Sequence, residues 1–458
     1  MAHARCRAHR HLHGELRPLR RQLATEALRT DLRASDAALE LIVSGYAFAY
    51  AAGLVTGGRL GDRFGYRRTF VLGMAAFTLA SLLCGLAQNP GHLVAARLGQ
   101  GVTAAVMVPQ VLSLVTARFP AEHRGRATAW YGAVGGIGAI AGQLAGGVLL
   151  EADVFGLGWR AVFLVNVPLG VAATLLALRV LPQLAGVRRA FDIPGALGVT
   201  ATLALLLIPS ALGREAGWPV WTWLCLAAAP VAGSLTWRRQ RRLRARGGEP
   251  VLDPALFRNR PYLSLLGAVG LFQLYFGAYM FTLALLLQAG LGMTPLSAAL
   301  TFLPQAVLFS VGSLLSGRLT ARFGRWSPGT GGALVVVGLS LLIVQLAFSG
   351  TGTDAAALLP ALALNGLGNG LLLPSLIGAA LTRVTPGSAG AASGAVNTAQ
   401  QAASSLGVAV LGMLFFAVSG AGMRAADNGM VAVSCVFVGL VGASAGLLLR
   451  ETSMPRRS

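Results

Sequence analysis

The residues best placed to do chemistry in this 458-residue chain fall in one short stretch, Gly57–Arg68, reading GGRLGDRFGYRR. It holds four arginines, Arg59, Arg63, Arg67 and Arg68, and a single carboxylate, Asp62. A carboxylate among guanidiniums can form charge-assisted bonds, and it can accept hydrogen bonds from the N-terminus of a neighbouring helix. Gly57, Gly58, Gly61 and Gly65 permit a sharp turn and close helix approach. A second copy, GRLTARFGR, stands at Gly317–Arg325; Gly58–Gly65 matches Gly317–Gly324 at six of eight positions, 259 residues apart. Ala321 replaces Asp62 in that copy, so a latch built on this carboxylate is expected on one side only.

Other candidates lie inside long apolar runs. Arg97 is one, and an arginine at the centre of a bilayer costs about 2.5–3.5 kcal/mol on insertion scales. It must therefore face protein or water, as a functional cation or as a packing cation bonded to backbone carbonyls. Tyr46, Tyr50, Gln273, Tyr275, Tyr279, Gln305, Asn365, Asn369, Asn397, Gln400 and Gln401 place polar or aromatic groups at the same depth and are the candidates for facing a substrate path. Asn397, Gln400 and Gln401 form the best cluster, because positions three and four apart share a helix face. Interhelical hydrogen bonding is the competing reading for each of these residues. Few of the 16 acidic residues approach membrane depth; Glu40, Asp62, Asp153, Asp354 and Asp427 come nearest. No nucleophile–base pair and no Cys/His cluster appears, so an enzyme, a metal site and a cofactor are not expected. Cys84, Cys225 and Cys435 read as small buried hydrophobes.

The elements that must position these residues are membrane spans. The chain is 55% apolar and only 12% charged, where soluble domains carry about 25% charged residues. Thirteen apolar runs follow residue 38, at 39–56, 69–87, 93–117, 127–150, 161–180, 193–212, 218–236, 262–288, 295–316, 329–348, 355–380, 389–416 and 428–449. Runs of about 20 residues cross the roughly 30 Å hydrocarbon core as helices.

The net charge of +21 does not imply a nucleic-acid partner, because the arginines cluster in short loops between the runs. With the Gly57–Arg68 loop in the cytoplasm and the sides alternating, 25 arginines fall on the cytoplasmic side and three opposite. This is the positive-inside pattern. It predicts a multi-pass protein of the bacterial plasma membrane with a cytoplasmic C-terminus. All 37 basic residues are arginine, which fits a GC-rich genome. Residues 1–37 break the pattern, since they would lie outside with eight arginines and no apolar run. A first span missing from the sequence as written would restore it and bring the count to fourteen.

The expected organisation is an anomalous basic segment 1–37, an N-terminal half 38–181, two extra spans within 192–237, a basic cytoplasmic loop 238–261, a C-terminal half 262–450 and a tail 451–458. Trp218, Trp221 and Trp223 mark one membrane interface and Trp237 the other. Arg238–Arg246, RRQRRLRAR, reads as a flank touching anionic lipid head groups, or else as a partner-binding stretch.

The loop GGRLGDRFGYRR resembles the signature loop between the second and third helices of the major facilitator superfamily. Arg97-Leu98-Gly99-Gln100-Gly101 resembles that superfamily's fourth-helix arginine motif. The run Gly138, Gly142, Gln143, Leu144, Ala145, Gly146 and Gly147 resembles its fifth-helix antiporter motif, with Gln143 where proline is usual. GWRAVFLVNVP at 158–168 and DPALFRNRPY at 253–262 are similar to segments of the fourteen-span drug:proton antiporter branch. The resemblance covers about residues 30–450 and implies an all-α polytopic fold of two pseudo-symmetric halves with two extra central spans.

It also implies roles. Gly58, Asp62, Arg63, Gly65, Arg67 and Arg68 would form a gating loop that holds one access state, and Arg97 and Gln100 would serve proton coupling. The implied function is proton-coupled export of a lipophilic drug or antibiotic by rocking of the halves. The partners would be that small molecule, protons and the lipid bilayer, with the protein a monomer. That branch carries an aspartate in its first helix, which this sequence lacks, so coupling is the weak point. Metabolite uptake or facilitation, and a truncated, inactive or regulatory membrane protein, are the alternatives.

Overall fold

The computed structural model describes residues 31–151, 156–182, 192–213, 217–324, 326–348, 355–384, 388–419 and 425–453. Most of the anomalous segment 1–37, residues 1–30, lies outside them. Among the described residues there are helices and no strands. The first group is α1 (Asp36–Phe64), α2 (Tyr66–Gly85), α3 (Pro90–Arg118), α4 (Ala121–Glu151), α5 (Arg160–Leu164) and α6 (Asn166–Val180). Next come α7 (Ile193–Leu212), α8 (Val220–Ala245) and the short α9 (Pro254–Arg258). The last group is α10 (Arg260–Leu285), α11 (Pro295–Phe323), α12 (Trp326–Phe348), α13 (Ala355–Thr382), α14 (Ala389–Ser419) and α15 (Ala425–Ser453). A π-helical turn, Leu286–Gly290, follows α10.

Local sequence explains where several helices begin. Asn89 precedes Pro90 and accepts from His92 N at 2.9 Å; Thr294 precedes Pro295 and accepts from Ser297 N at 3.2 Å. Asn259 caps α10 by accepting from Tyr262 N at 3.2 Å. A capping side chain satisfies an orphan donor, and proline at N1 has no donor to satisfy.

Ten helices among the described residues are long and apolar enough to cross a membrane. Helices α1, α4 and α7 occupy the three other expected spans. Large apolar side chains cover the outer faces, including Leu72, Leu79, Leu169, Leu176 and Leu224. Exposed apolar surface on this scale needs a non-aqueous solvent, and helices satisfy their own backbone groups in lipid. The chain is a multi-pass membrane protein. Of the cysteines expected inside, Cys84 is buried, Cys225 is half-buried and Cys435 is exposed on the outer surface.

The 259-residue offset of the repeated loop also carries α2 onto α12, α3 onto α13 and α4 onto α14. Packing follows the repeat: α1 lies against α3 and α2 against α3, while α11 lies against α13 and α12 against α13. The principal pairs joining the groups are α1 with α14 and α11 with α4, followed by α3 with α14 and α13 with α4. The offset exchanges these pairs, as a pseudo-two-fold axis would. Helices α7 and α8 pair with each other, and α7 leans on α1 and α14. The largest buried core is in the last group, around Tyr262, Phe272, Tyr275, Tyr279 and Phe437.

Bare backbone sets the helix spacing. A Cβ on Gly366 of α13 would lie 2.1 Å from the Gln305 carbonyl oxygen of α11, whereas one on Gly267 of α10 would meet nothing within 4 Å. Gly366→Ala should therefore destabilise the protein by about 1–3 kcal/mol, in the range of an overpacked core. Gly267→Ala should be neutral or mildly stabilising through helix propensity. Thermal unfolding in detergent compares the two.

Candidate functional site

Asp62 ends α1 and is buried. Its Oδ1 accepts from Gly390 N, at the start of α14, at 2.9 Å. The same oxygen accepts from the Tyr66 hydroxyl at 2.8 Å. Arg59 Nη1 lies 3.4 Å from Oδ2. The loop carboxylate thus bridges the two helical groups at a helix N-terminus, where the dipole favours negative charge. Glycine is required on both sides: a Cβ on Gly58 would fall 2.3 Å from the Gly390 carbonyl oxygen, and one on Gly390 would fall 2.2 Å from Asp62 Oδ1. Gly65 makes the turn into α2 with φ of +88°, a conformation other residues rarely adopt.

The neighbouring arginines divide. Arg67 donates to the Leu178 carbonyl near the end of α6. Arg63 and Arg68 are exposed, with the Arg63 guanidinium 5.1 Å from the Phe64 ring centre. Arg59 turns to the segment ahead of α9, donating from Nε to Val251 O and from Nη2 to Pro250 O, each at 2.7 Å. The adjoining Leu252 N donates to Gln240 Oε1 at 3.1 Å. Gln240 Nε2 in turn donates to Asp192 Oδ2 at 2.8 Å, and Arg239 Nη1 to Asp192 Oδ1 at 2.7 Å. Burial raises the Asp192 carboxyl, but the bonds from Gln240, Gly195 N and Arg239 outweigh it and hold its pKa below the ordinary value.

At the second contact between the groups Ala321 offers no carboxylate. Arg124 of α4 works there instead. Its Nη1 donates to Leu381 O at the end of α13, at 2.9 Å, and its Nη2 to Thr116 O at 2.8 Å. Ser313 and Ser310 of α11 donate to Ala129 O and Ala133 O of α4, at 2.9 and 3.3 Å. Arg59, Arg124, Gly390 and the two serines were not among the expected site residues. Arg124 was counted only as a loop cation, and the small-residue run AGAASGA at 389–395 was the available signal for α14.

Arg97 bonds to one backbone carbonyl and one side chain. Its Nε donates to Ile42 O at 2.9 Å and its Nη1 to Gln100 Oε1 at 2.7 Å. Gln100 passes a bond on to Ser81 Oγ at 2.8 Å. The guanidinium stands 4.6 Å from the Tyr46 ring centre, within cation–π range, and Tyr46 stacks on Tyr50.

A cavity of about 290 Å³ lies between α4, α10, α11, α13 and α14. Tyr131, Phe276, Met280, Phe302, Phe309 and Pro374 make most of its wall; Gln305 and Gln400 are polar exceptions. Tyr279 stands behind the wall and donates to Gln305 Oε1 at 3.1 Å. Asn365 and Asn369 sit deeper, bonded to each other at 2.5 Å and to the Tyr275 hydroxyl at 3.1 Å. Asn397 donates to Ser393 O one turn back in its own helix. Gln273 and Gln401 are half-buried away from the cavity wall.

On α4, Gly132 and Gly136 meet Ser313, Ser310 and Phe309 of α11 closely. Gly138, Gly142 and Gly146 face open space, with nothing within 4 Å of an added Cβ. The side chain of Gln143 and the surroundings of Gly147 fall outside what is described.

With α1 and α14 in contact, burial raises the Asp62 carboxyl, while Arg59, the Tyr66 hydroxyl and the Gly390 and Ala391 amides oppose it; the net pKa lies above the ordinary 3.8. A pKa raised in one state means that state binds its proton more tightly. The contact should therefore strengthen as pH falls toward 3.8 and weaken as pH rises through the raised value. Spin labels at Arg68→Cys and Arg318→Cys, with native cysteines replaced by serine, report the gap by pulsed electron resonance. Asp62→Asn should abolish the pH dependence of that distance.

Comparison with known proteins agrees with this architecture. The family model described as Major Facilitator Superfamily matches residues 23–408. The chain is 40% identical over 411 residues to a probable actinorhodin transporter of Streptomyces coelicolor, covering 89% of this chain and 71% of that one. It is 37% identical to a puromycin resistance protein of Streptomyces alboniger, covering 85% and 76%, and 36% identical to a cephamycin export protein of Amycolatopsis lactamdurans, covering 85% and 79%. Among solved structures, the human organic anion transporter MFSD10 superposes with a TM-score of 0.61 at 18% identity, over 96% of this chain and 92% of that one. The proton:xylose symporter XylE gives 0.60 at 14% identity, over 92% and 90%. The repeated loop, the exchanged helix pairs and the matched length together place the chain in the major facilitator superfamily, as a membrane transporter and not an enzyme.

Proposed function

We propose that this protein exports a lipophilic, antibiotic-like compound across a bacterial plasma membrane by proton-coupled alternating access. The observation that carries the reading is the central cavity, walled by aromatic and aliphatic side chains with few polar groups. Such a wall suits a large apolar ligand, with a small number of polar groups setting its orientation. The relatives named for actinorhodin transport, puromycin resistance and cephamycin export support export over uptake.

The rocking units are residues 38–181 and 262–450. The contacts between them gather at the arginine-rich ends: Asp62 on Gly390, Arg124 on Leu381, Ser313 on Ala129. The glycines of α4 toward the opposite end are unopposed. With arginine-rich loops and C-terminus in the cytoplasm, this arrangement is closed inside and gives access from outside. Tyr46, Tyr50 and Arg97 form a polar and aromatic column on the first unit, and Arg97 with Gln100 is the element assigned to coupling. The protein works as a monomer.

Expression in a pump-deficient bacterial host should raise the inhibitory concentration of puromycin or of an aromatic polyketide at least fourfold, about 0.8 kcal/mol in the concentration ratio held across the membrane. A protonophore should abolish the gain. Unchanged sensitivity to every such compound would remove export, and a gain that survives the protonophore would remove proton coupling. Arg97→Gln should lose the gain at normal membrane abundance. Arg97→Lys should restore only part of it, since an ammonium cannot reproduce the guanidinium's fork.

A further inference from the structure

We infer that the hollow between the arginine-rich end of α8 and the short helix α9 binds the phosphate headgroup of an anionic phospholipid. It has a volume of about 440 Å³ and lies outside the transport cavity. Trp237, Arg241 and Arg244 of α8 form one side, and Phe257 and Arg258 of α9 the other. The two rings close its floor edge-to-face, with centroids 5.2 Å apart.

Charge is unbalanced there. Three guanidiniums border the hollow, and Asp253 reaches only Arg244, at 3.6 Å. Among the described residues Arg241 and Arg258 form no ion pair. Arg239, on the neighbouring face, is already committed to Asp192. The hollow is thus a concave cationic site, and guanidiniums bind phosphate oxygens as paired donors.

Its position selects a lipid. Ala227, Val231, Ser234 and Leu235 form an exposed stripe along α8, and the stripe runs at helical spacing into Arg238 and Arg241. Helix α8 is a span of which only 17% of the apolar window is buried inside the protein. A phosphodiester held in the hollow would lay its acyl chains along this stripe. A free phosphate would gain nothing from it. Basic pockets beside spans are suited to anionic headgroups for this reason.

Native mass spectrometry of the purified full chain tests this, with phosphatidylglycerol and phosphatidylcholine offered in equal amounts. The wild type should retain phosphatidylglycerol about tenfold or more over phosphatidylcholine. Arg241→Gln with Arg258→Gln should lose that preference while melting as the wild type does in phosphatidylcholine micelles. Arg242→Gln with Arg246→Gln, which lie outside the hollow, should keep it. An equal loss in this second pair would mean diffuse attraction to the basic helix and would overturn the site. Displacement of the lipid by inorganic phosphate would assign the hollow to a soluble phosphate ligand instead. No preference in the wild type would remove the proposal altogether.

Discussion

The arrangement of the halves depends on a carboxylate placed at a helix N-terminus. Asp62 belongs to the last turn of α1, and the amide it binds belongs to α14, on the other side of the pseudo-two-fold axis. The bond is buried, where a hydrogen bond is electrostatically stronger than in water. It also demands that two backbones nearly touch, which is why Gly58 and Gly390 face each other. The contact is therefore both an interaction and a steric requirement.

The second contact between halves uses the opposite end of a helix. Arg124 sets its guanidinium against the last carbonyls of α13, where the dipole favours positive charge. The two contacts between the halves thus set an anion on a helix start and a cation on a helix end. A duplicated fold would offer two identical latches. The second copy has Ala321 where the first has Asp62, and Arg124 supplies cross-half bonding by another route. Buried polar groups elsewhere stay inside one half, as the Tyr275–Asn365–Asn369 cluster does. Bonds within a half make it rigid. Among the described residues the bonds between halves run from the arginine-rich end, at Asp62 and Arg124, to mid-helix at Ser310.

Much of the fold was legible in the sequence because lipid imposes a simple rule. A run of about 20 apolar residues with arginines at alternate ends can be read without knowing its neighbours. The repeated loop added the symmetry. The site was only partly legible for the same physical reason. A helix apolar on all faces has no periodicity that says which face meets the cavity, so Gln305 and Asn365 looked alike. In the structure one lines the cavity and the other bonds to Tyr275 behind it. The glycines of α4 also looked alike, yet Gly132 and Gly136 meet α11 while Gly138 and Gly142 meet nothing. That difference reflects where the two halves touch, which is a property of the assembled fold and not of α4.

The two extra spans are tied to the latch. From Asp62 the bonding passes to Arg59, and from Arg59 to the carbonyls of Pro250 and Val251. Leu252 continues it through Gln240 to Asp192, the cap of α7. Val55, Ala196, Val199 and Val251 bury an apolar cluster beside this path. Helix α7 also leans on both α1 and α14, the helices that the latch joins. A rocking motion that parts α1 from α14 must therefore either carry the α7–α8 pair with α1 or break the Arg59 bonds to the linker. The Thr200 hydroxyl bond to Ala52 of α1, at 3.1 Å, and the cluster around Val55 favour the first course. On the proposed rocking motion, the extra spans would stay with the N-terminal half, and the linker before α10 would be the segment that flexes.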